Sequence, residues 1–204
     1  MFLSAPLETL VAPDRARVLT VLVRAGQPLS GRTIATLTGS VSQPTVARLL
    51  RSLTHDGLVR RVPGGYELNR EHLAYGAVEL LLDAPSLLAR RIAAEVSTWG
   101  HPPVTVALFG STARGHAGPD SDVDLLVVRP SEIDADDEVW AACVATLTER
   151  VHDWTGAPCE ILEYDPDELA VLDRAGDPLV EAILRDGVTL TGIPLPQVLQ
   201  DAVR

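Results

Sequence analysis

Lysine is absent from this 204-residue chain: all 17 of its basic residues are arginine. Any basic surface it presents is therefore an arginine surface, built of planar guanidinium groups. Cysteine is nearly absent as well. Cys143 and Cys159 are the only two, and they lack the paired spacing of a thiolate metal site, so reduced thiols are expected rather than a disulfide framework. None of the five histidines stands at ligand spacing from another. No apolar run approaches the roughly 18 to 20 residues needed to cross a bilayer. The start Met-Phe-Leu-Ser has no basic flank of a secretory leader, and a cytoplasmic location without a membrane partner is the expectation. Sequence repeats and low-complexity tracts are missing too.

What is present is an ordinary globular composition, 46% hydrophobic and 22% charged, long enough for two small domains. Charge divides them. Residues 13 to 68 carry eight arginines against Asp14, Asp56 and Glu67, a net of +5. Residues 69 to 204 carry nine arginines against 24 acidic residues, a net of -15. A basic module followed by an acidic one fits a first half that meets phosphate backbone and a second half that does not.

The first module reads as three helices and a hairpin. Asp14 to Ala25 is helix-like and stops at Gly26. Ser30 caps a second helix that carries Ile34 and Leu37 and ends at Gly39. Ser42 and Pro44 open a third, in which Val46, Leu49, Leu50 and Leu53 recur at helical spacing as one buried stripe. Its opposite stripe holds Pro44, Arg48, Arg51 and His55, with Gln43 and Thr45 near the N-terminus. These residue types reach phosphates and base edges. Leu58 to Val62 and Tyr66 to Leu68, joined through Pro63-Gly64-Gly65, read as a two-stranded wing bearing Arg60 and Arg61. The pattern Thr45-Val46-Ala47-Arg48-Leu49-Leu50, Leu53 and Gly57-Leu58-Val59 resembles winged helix-turn-helix transcription regulators. The expected division is a winged DNA-binding domain over 1–68, a helical linker or dimerisation segment over 69–99 in two pieces broken around Asp83 to Pro85, a catalytic domain over 100–192 and a tail over 193–204.

From Val104 the periodicity changes. Val104 to Phe109 and Val123 to Val128 are near-continuous apolar runs, as in strands covered on both faces. Trp140, Val144, Leu147, Val151 and Trp154 mark an amphipathic helix ending at Gly156. Cys159 to Tyr164 and Val188 to Leu190 are further strands, with a helix from Asp177-Pro178 to Gly187 between them. This half is α+β.

After the first of these strands comes Gly110-Ser111, then ten residues, then Asp122-Val123-Asp124 at the head of the next. Residues two apart on a strand share a face, so both carboxylates point toward the Gly110 turn. Paired hard oxygen ligands suit magnesium, and glycine lets a triphosphate approach backbone N–H groups. The segment Gly110-Ser111-Thr112-Ala113-Arg114-Gly115, followed by Ser121-Asp122-Val123-Asp124-Leu125, resembles the signature of the polymerase-beta-like nucleotidyltransferase superfamily, in particular its minimal members.

That resemblance implies transfer of a nucleoside monophosphate from a nucleoside triphosphate to an acceptor protein, RNA or small molecule, with two Mg2+ ions and release of pyrophosphate. Asp122 and Asp124 would hold the metals, and a third carboxylate would complete the set or take the acceptor's proton. Glu160 and Glu163 compete for that role from opposite faces of their strand, and the family pattern favours Glu160. Gly110, Ser111 and Arg114 would meet the triphosphate, with Arg114 alternatively a surface partner of Asp120. The competing reading is a DNA-binding regulator whose nucleotidyltransferase-like domain senses nucleotide or binds a partner without turnover. The minimal members are often encoded in two-gene toxin–antitoxin modules, and winged domains usually bind DNA as homodimers.

Overall fold

Serine side chains start two of the helices in the N-terminal half. The computed structural model describes residues 3–115, 118 and 121–202, and it divides into Ala5–Ala84 on one side and Met1–Ser4 with Pro85–Arg204 on the other. In the first unit α1 (Pro13–Arg24) is followed by α2 (Gly31–Thr38) and α3 (Gln43–His55). Ser30 Oγ accepts the Thr33 N–H and Ser42 Oγ the Thr45 N–H, satisfying donors that a helix start otherwise leaves unpaired. Val18, Leu19, Leu22, Ile34, Val46, Leu50 and Leu53 close the three-helix core, with Leu49 half-buried at its edge.

An antiparallel hairpin, β1 (Val59–Val62) and β2 (Gly65–Leu68), follows α3. Leu29 and Tyr66 exchange backbone hydrogen bonds of 3.0 and 2.8 Å, which tie the α1–α2 loop to β2. The approach explains Gly65. Its φ is +141°, and a Cβ there would stand 2.2 Å from the Leu29 carbonyl oxygen, so only glycine fits.

The second unit contains α5 (Ala84–Val96), β3 (Thr105–Phe109), α6 (Gly110–Ala113), β4 (Val123–Val128), α7 (Glu138–Thr155) and β5 (Cys159–Tyr164). It continues with α8 (Pro166–Arg174), α9 (Pro178–Asp186), β6 (Val188–Gly192) and α10 (Leu195–Asp201); α4 (Tyr75–Leu82) belongs to the first unit. The sheet order is β5-β4-β3-β6, with β4 and β5 parallel and the other pairs antiparallel. Val123, Leu125 and Val127 pack with Leu88, Ile92 and Val96 of α5 and with Trp140, Leu147 and Val151 of α7. Leu126 and Val128 pack on the other face with Leu169, Val180, Ile183, Leu195 and Val198. Helices therefore cover both faces, which is why β3 and β4 read as near-continuous apolar runs.

Two boundaries differ from expectation. Residues 69–99 do not form one linker: Val78, Leu81 and Leu82 of α4 join the first core, whereas Leu88, Ile92 and Val96 of α5 join the second. The break at Asp83 lies between two apolar faces with different destinations. The expected tail over 193–204 is helical as α10, because Leu195, Val198 and Leu199 bury one face of it. The helix α8 was not legible as a separate element, although its capping box is present: Asp165 accepts the Glu168 N–H and Glu168 the Asp165 N–H. No helix among the described residues is long and apolar enough to cross a membrane.

Candidate active site

The sheet brings the expected carboxylates to one end. Asp124 is the second residue of β4, opposite Phe109 of β3 on one side and Glu160 of β5 on the other. Register partners on parallel strands share a face, so Asp124 and Glu160 are neighbours on the face that carries Leu126 and Leu162. Glu163 is matched with Val127 and belongs to the opposite face. Its carboxylate is held by Arg129, a guanidinium only 4% exposed that also faces Asp165 at 3.6 Å and Glu168 at 3.8 Å. Glu163 thus compensates a buried arginine, while Glu160 is exposed.

Gly110 makes room for Asp124. It has φ +70°, and a Cβ there would lie 1.9 Å from Asp124 Oδ2. Ser111 is half-buried in the same turn. Thr112, not among the expected site residues, donates its hydroxyl to the Asp122 carbonyl oxygen at 3.1 Å and so ties α6 to the head of β4. Its signal was a hydroxyl in the glycine turn, though spacing alone did not reveal its partner. Arg114 is exposed and its partner is Asp186 at 3.7 Å. Asp120, the other suggested partner, lies outside the described residues.

Asp124 is held above the ordinary carboxylate range, first by burial, then by Glu160 and Asp122, with Arg114 opposing. Burial, together with Asp124 and Glu160, pushes the Cys159 thiol up to about 12. Among the described residues no group of three or more His, Cys, Asp or Glu is gathered to hold a metal ion as it stands. The three carboxylates form a neighbourhood rather than a closed cage. A cluster that raises one member's affinity for protons is nonetheless a donor set that favours a cation.

A stability prediction follows from the sign of this shift. A carboxyl whose pKa is raised on folding binds its proton more tightly in the native state, so its contribution is intact below the ordinary value and lost as pH rises through the raised one. Asp124→Asn is expected to raise the melting temperature of the metal-free protein at pH 7 and to leave it nearly unchanged near pH 3. Thermal scans at both pH values check this; a lower melting temperature at pH 7 contradicts it.

In the first unit, Gln43, Arg48 and Arg51 are exposed along α3. Thr45 is half-buried, and its hydroxyl accepts from Ser42 at 2.9 Å, so part of its bonding capacity goes to the cap. Arg60 and Arg61 are both exposed but point to opposite faces of the hairpin. Arg60 is paired with Glu71 at 2.8 Å.

The second unit is thus a mixed sheet layered between helices, with Asp124 set against a glycine turn at one end. Residues 89–173 match the nucleotidyltransferase domain family, and residues 15–63 match the IclR helix-turn-helix domain. The chain therefore carries a helix-turn-helix domain ahead of a nucleotidyltransferase domain. No curated protein matches it. Similar solved structures include a toxin–antitoxin with AMP-PNP, at 15% identity over 56% of this chain and 83% of that one, with a TM-score of 0.40. A mutant of the toxin–antitoxin MntA–HpeT aligns at 14% identity over 56% and 83%, with a TM-score of 0.40. The toxin–antitoxin MntA–HepT aligns at 14% over 58% and 83%, with a TM-score of 0.37.

Proposed function

We propose that the chain transfers a nucleoside monophosphate from a nucleoside triphosphate to an acceptor, and that a winged DNA-binding domain directs or regulates this activity. The observation that carries the reading is Asp124 seated against Gly110 with Glu160 beside it in register. Asp122, Asp124 and Glu160 would hold two Mg2+ ions, which when bound neutralise charge on the reacting phosphate and lower the pKa of an attacking hydroxyl. Gly110 leaves the turn open to the triphosphate, and Arg114 offers a guanidinium to its oxygens. The acceptor oxygen bonds to the α-phosphorus as the bond to the β-bridging oxygen breaks, and pyrophosphate leaves. Glu160, the exposed carboxylate of the three, takes the acceptor's proton.

Binding at this site is tested by heat. Magnesium with a non-hydrolysable nucleoside triphosphate, each well above its dissociation constant, is expected to raise the melting temperature of the wild type by several degrees. The variant carrying Asp122→Asn and Asp124→Asn should show little shift, and equal shifts in both proteins contradict the assignment.

The exposed arginines of α3 support a DNA face, with Arg61 on the hairpin as a further contact. Arg48→Ala and Arg51→Ala are each expected to weaken binding to the protein's own upstream DNA. Each should reduce the magnitude of the salt slope by about 1, as one phosphate contact is lost. Mobility shifts across a salt series read both quantities, and unchanged slopes remove these two residues from the interface.

A second reading is favoured by the open arrangement of Glu160: a regulator that binds nucleotide at Asp122 and Asp124 without turnover. It predicts nucleotide-dependent DNA affinity and no labelled acceptor.

A further inference from the structure

The proposed site is rich in negative charge and poor in cations. Asp122, Asp124 and Glu160 lie near one another there, a triphosphate adds more, and with no lysine in the chain the permanent side-chain cations that can offset this charge are guanidinium groups. Several arginines of this unit are committed elsewhere: Arg129 to Glu163, Arg150 to Glu95 and Arg91 over the Trp154 ring. Arg114 is at hand, lowering the proton affinity of Asp124.

A second arginine is joined to it through one carboxylate. Asp186 Oδ2 lies 3.7 Å from Arg114 Nη1, while Arg185 reaches Asp186 with Nε at 3.2 Å from both oxygens and Nη2 at 3.1 Å from Oδ2. Topology puts this group at the right end of the sheet. The strand β6 begins at Val188, register partner of Leu108, two residues ahead of Gly110. Gly187 closes the turn, its N–H donating to the Ile183 carbonyl oxygen at 2.8 Å, and a Cβ there would stand 2.4 Å from that oxygen.

We propose that Arg185 is a second phosphate-binding arginine, and that Asp186 is the internal anion that Arg114 and Arg185 exchange for the triphosphate. The inference rests on the nucleotidyltransferase reading of the site. The ion pairs are partly exposed, with Arg185 69% and Arg114 40% accessible, so they hold the arginines weakly. A phosphate offers each guanidinium a bidentate, charge-assisted partner and displaces the carboxylate. Asp186 therefore competes with the ligand, and removing its charge strengthens binding.

The test is calorimetric titration of the full chain with inorganic tripolyphosphate and magnesium. Arg185→Ala and Arg114→Ala are each expected to weaken binding about tenfold or more. Asp186→Asn, which keeps the shape and loses the charge, is expected to tighten it roughly twofold to fivefold. Arg150→Ala serves as a control on the other layer and should bind as the wild type does. A merely structural Asp186 would yield weaker or unchanged binding in Asp186→Asn, and either result overturns the proposal, as does unchanged binding in Arg185→Ala. If Arg114→Ala and the double Asp122→Asn, Asp124→Asn variant weaken binding while position 185 and 186 variants do not, this inference alone fails. If the wild type does not bind, the reading of the site fails and takes the inference with it.

Discussion

Replacing Asp122 and Asp124 together by asparagine is expected to reduce nucleotidyl transfer by on the order of a thousandfold or more, in a protein that melts no lower than the wild type. The amide preserves the volume of each side chain and removes the charge that would hold a metal. At position 124 it also removes a carboxylate whose ionisation is opposed by burial, Glu160 and Asp122. Activity and stability should therefore move in opposite directions, which a general disruption of the fold would not produce. Initial rates of acceptor labelling and thermal scans on the same preparations decide it. A double variant with activity within tenfold of wild type would remove these carboxylates from the chemistry.

Gly110→Ala should come second in size, with a loss of about a hundredfold in rate and a stability cost of about 1 to 2 kcal/mol. The methyl group would occupy the position taken by Asp124 Oδ2, 1.9 Å away, on a backbone held at φ +70°. Either the turn shifts or the carboxylate moves, and both displace Asp124 relative to Glu160 and Asp122. The alanine change at neighbouring Ser111 introduces no such collision and is expected to leave the unfolding free energy within about 0.5 kcal/mol of wild type. Equal activity in Gly110→Ala and wild type would show that the approach of Asp124 to this turn is incidental.

The features most legible in the sequence were those set by local chemistry. Ser30 and Ser42 announce their helices because a hydroxyl one residue ahead of a helical stripe has a backbone donor to accept from. The apolar runs of β3 and β4 announce a sheet covered on both faces, and the Gly110 turn with Asp122 and Asp124 at the head of β4 announces the carboxylates that gather at its end. Pairing was not legible. That Glu160 lies beside Asp124, while Glu163 compensates Arg129, is a matter of strand register, which periodicity within a single strand does not encode. The same holds for Asp186: 72 positions separate it from Arg114 in the chain, and the β3–β6 pairing together with the packing of α6 on α9 brings them together. The two helical pieces α4 and α5 are legible with their break, but a helix's apolar stripe does not name the core it joins, so they read as parts of one linker.

Nucleotidyl transfer is tested most directly by the position of the label. Wild-type protein would be incubated with magnesium, a cell extract and each nucleoside triphosphate, labelled either on the α-phosphate or on the γ-phosphate. The account predicts that the α-label becomes covalently attached to an acceptor, in a magnesium-dependent manner, while the γ-label is released as pyrophosphate. Transfer of the γ-label, or an acceptor labelled equally well after chelation of the metal, would contradict the chemistry assigned to Asp122, Asp124 and Glu160.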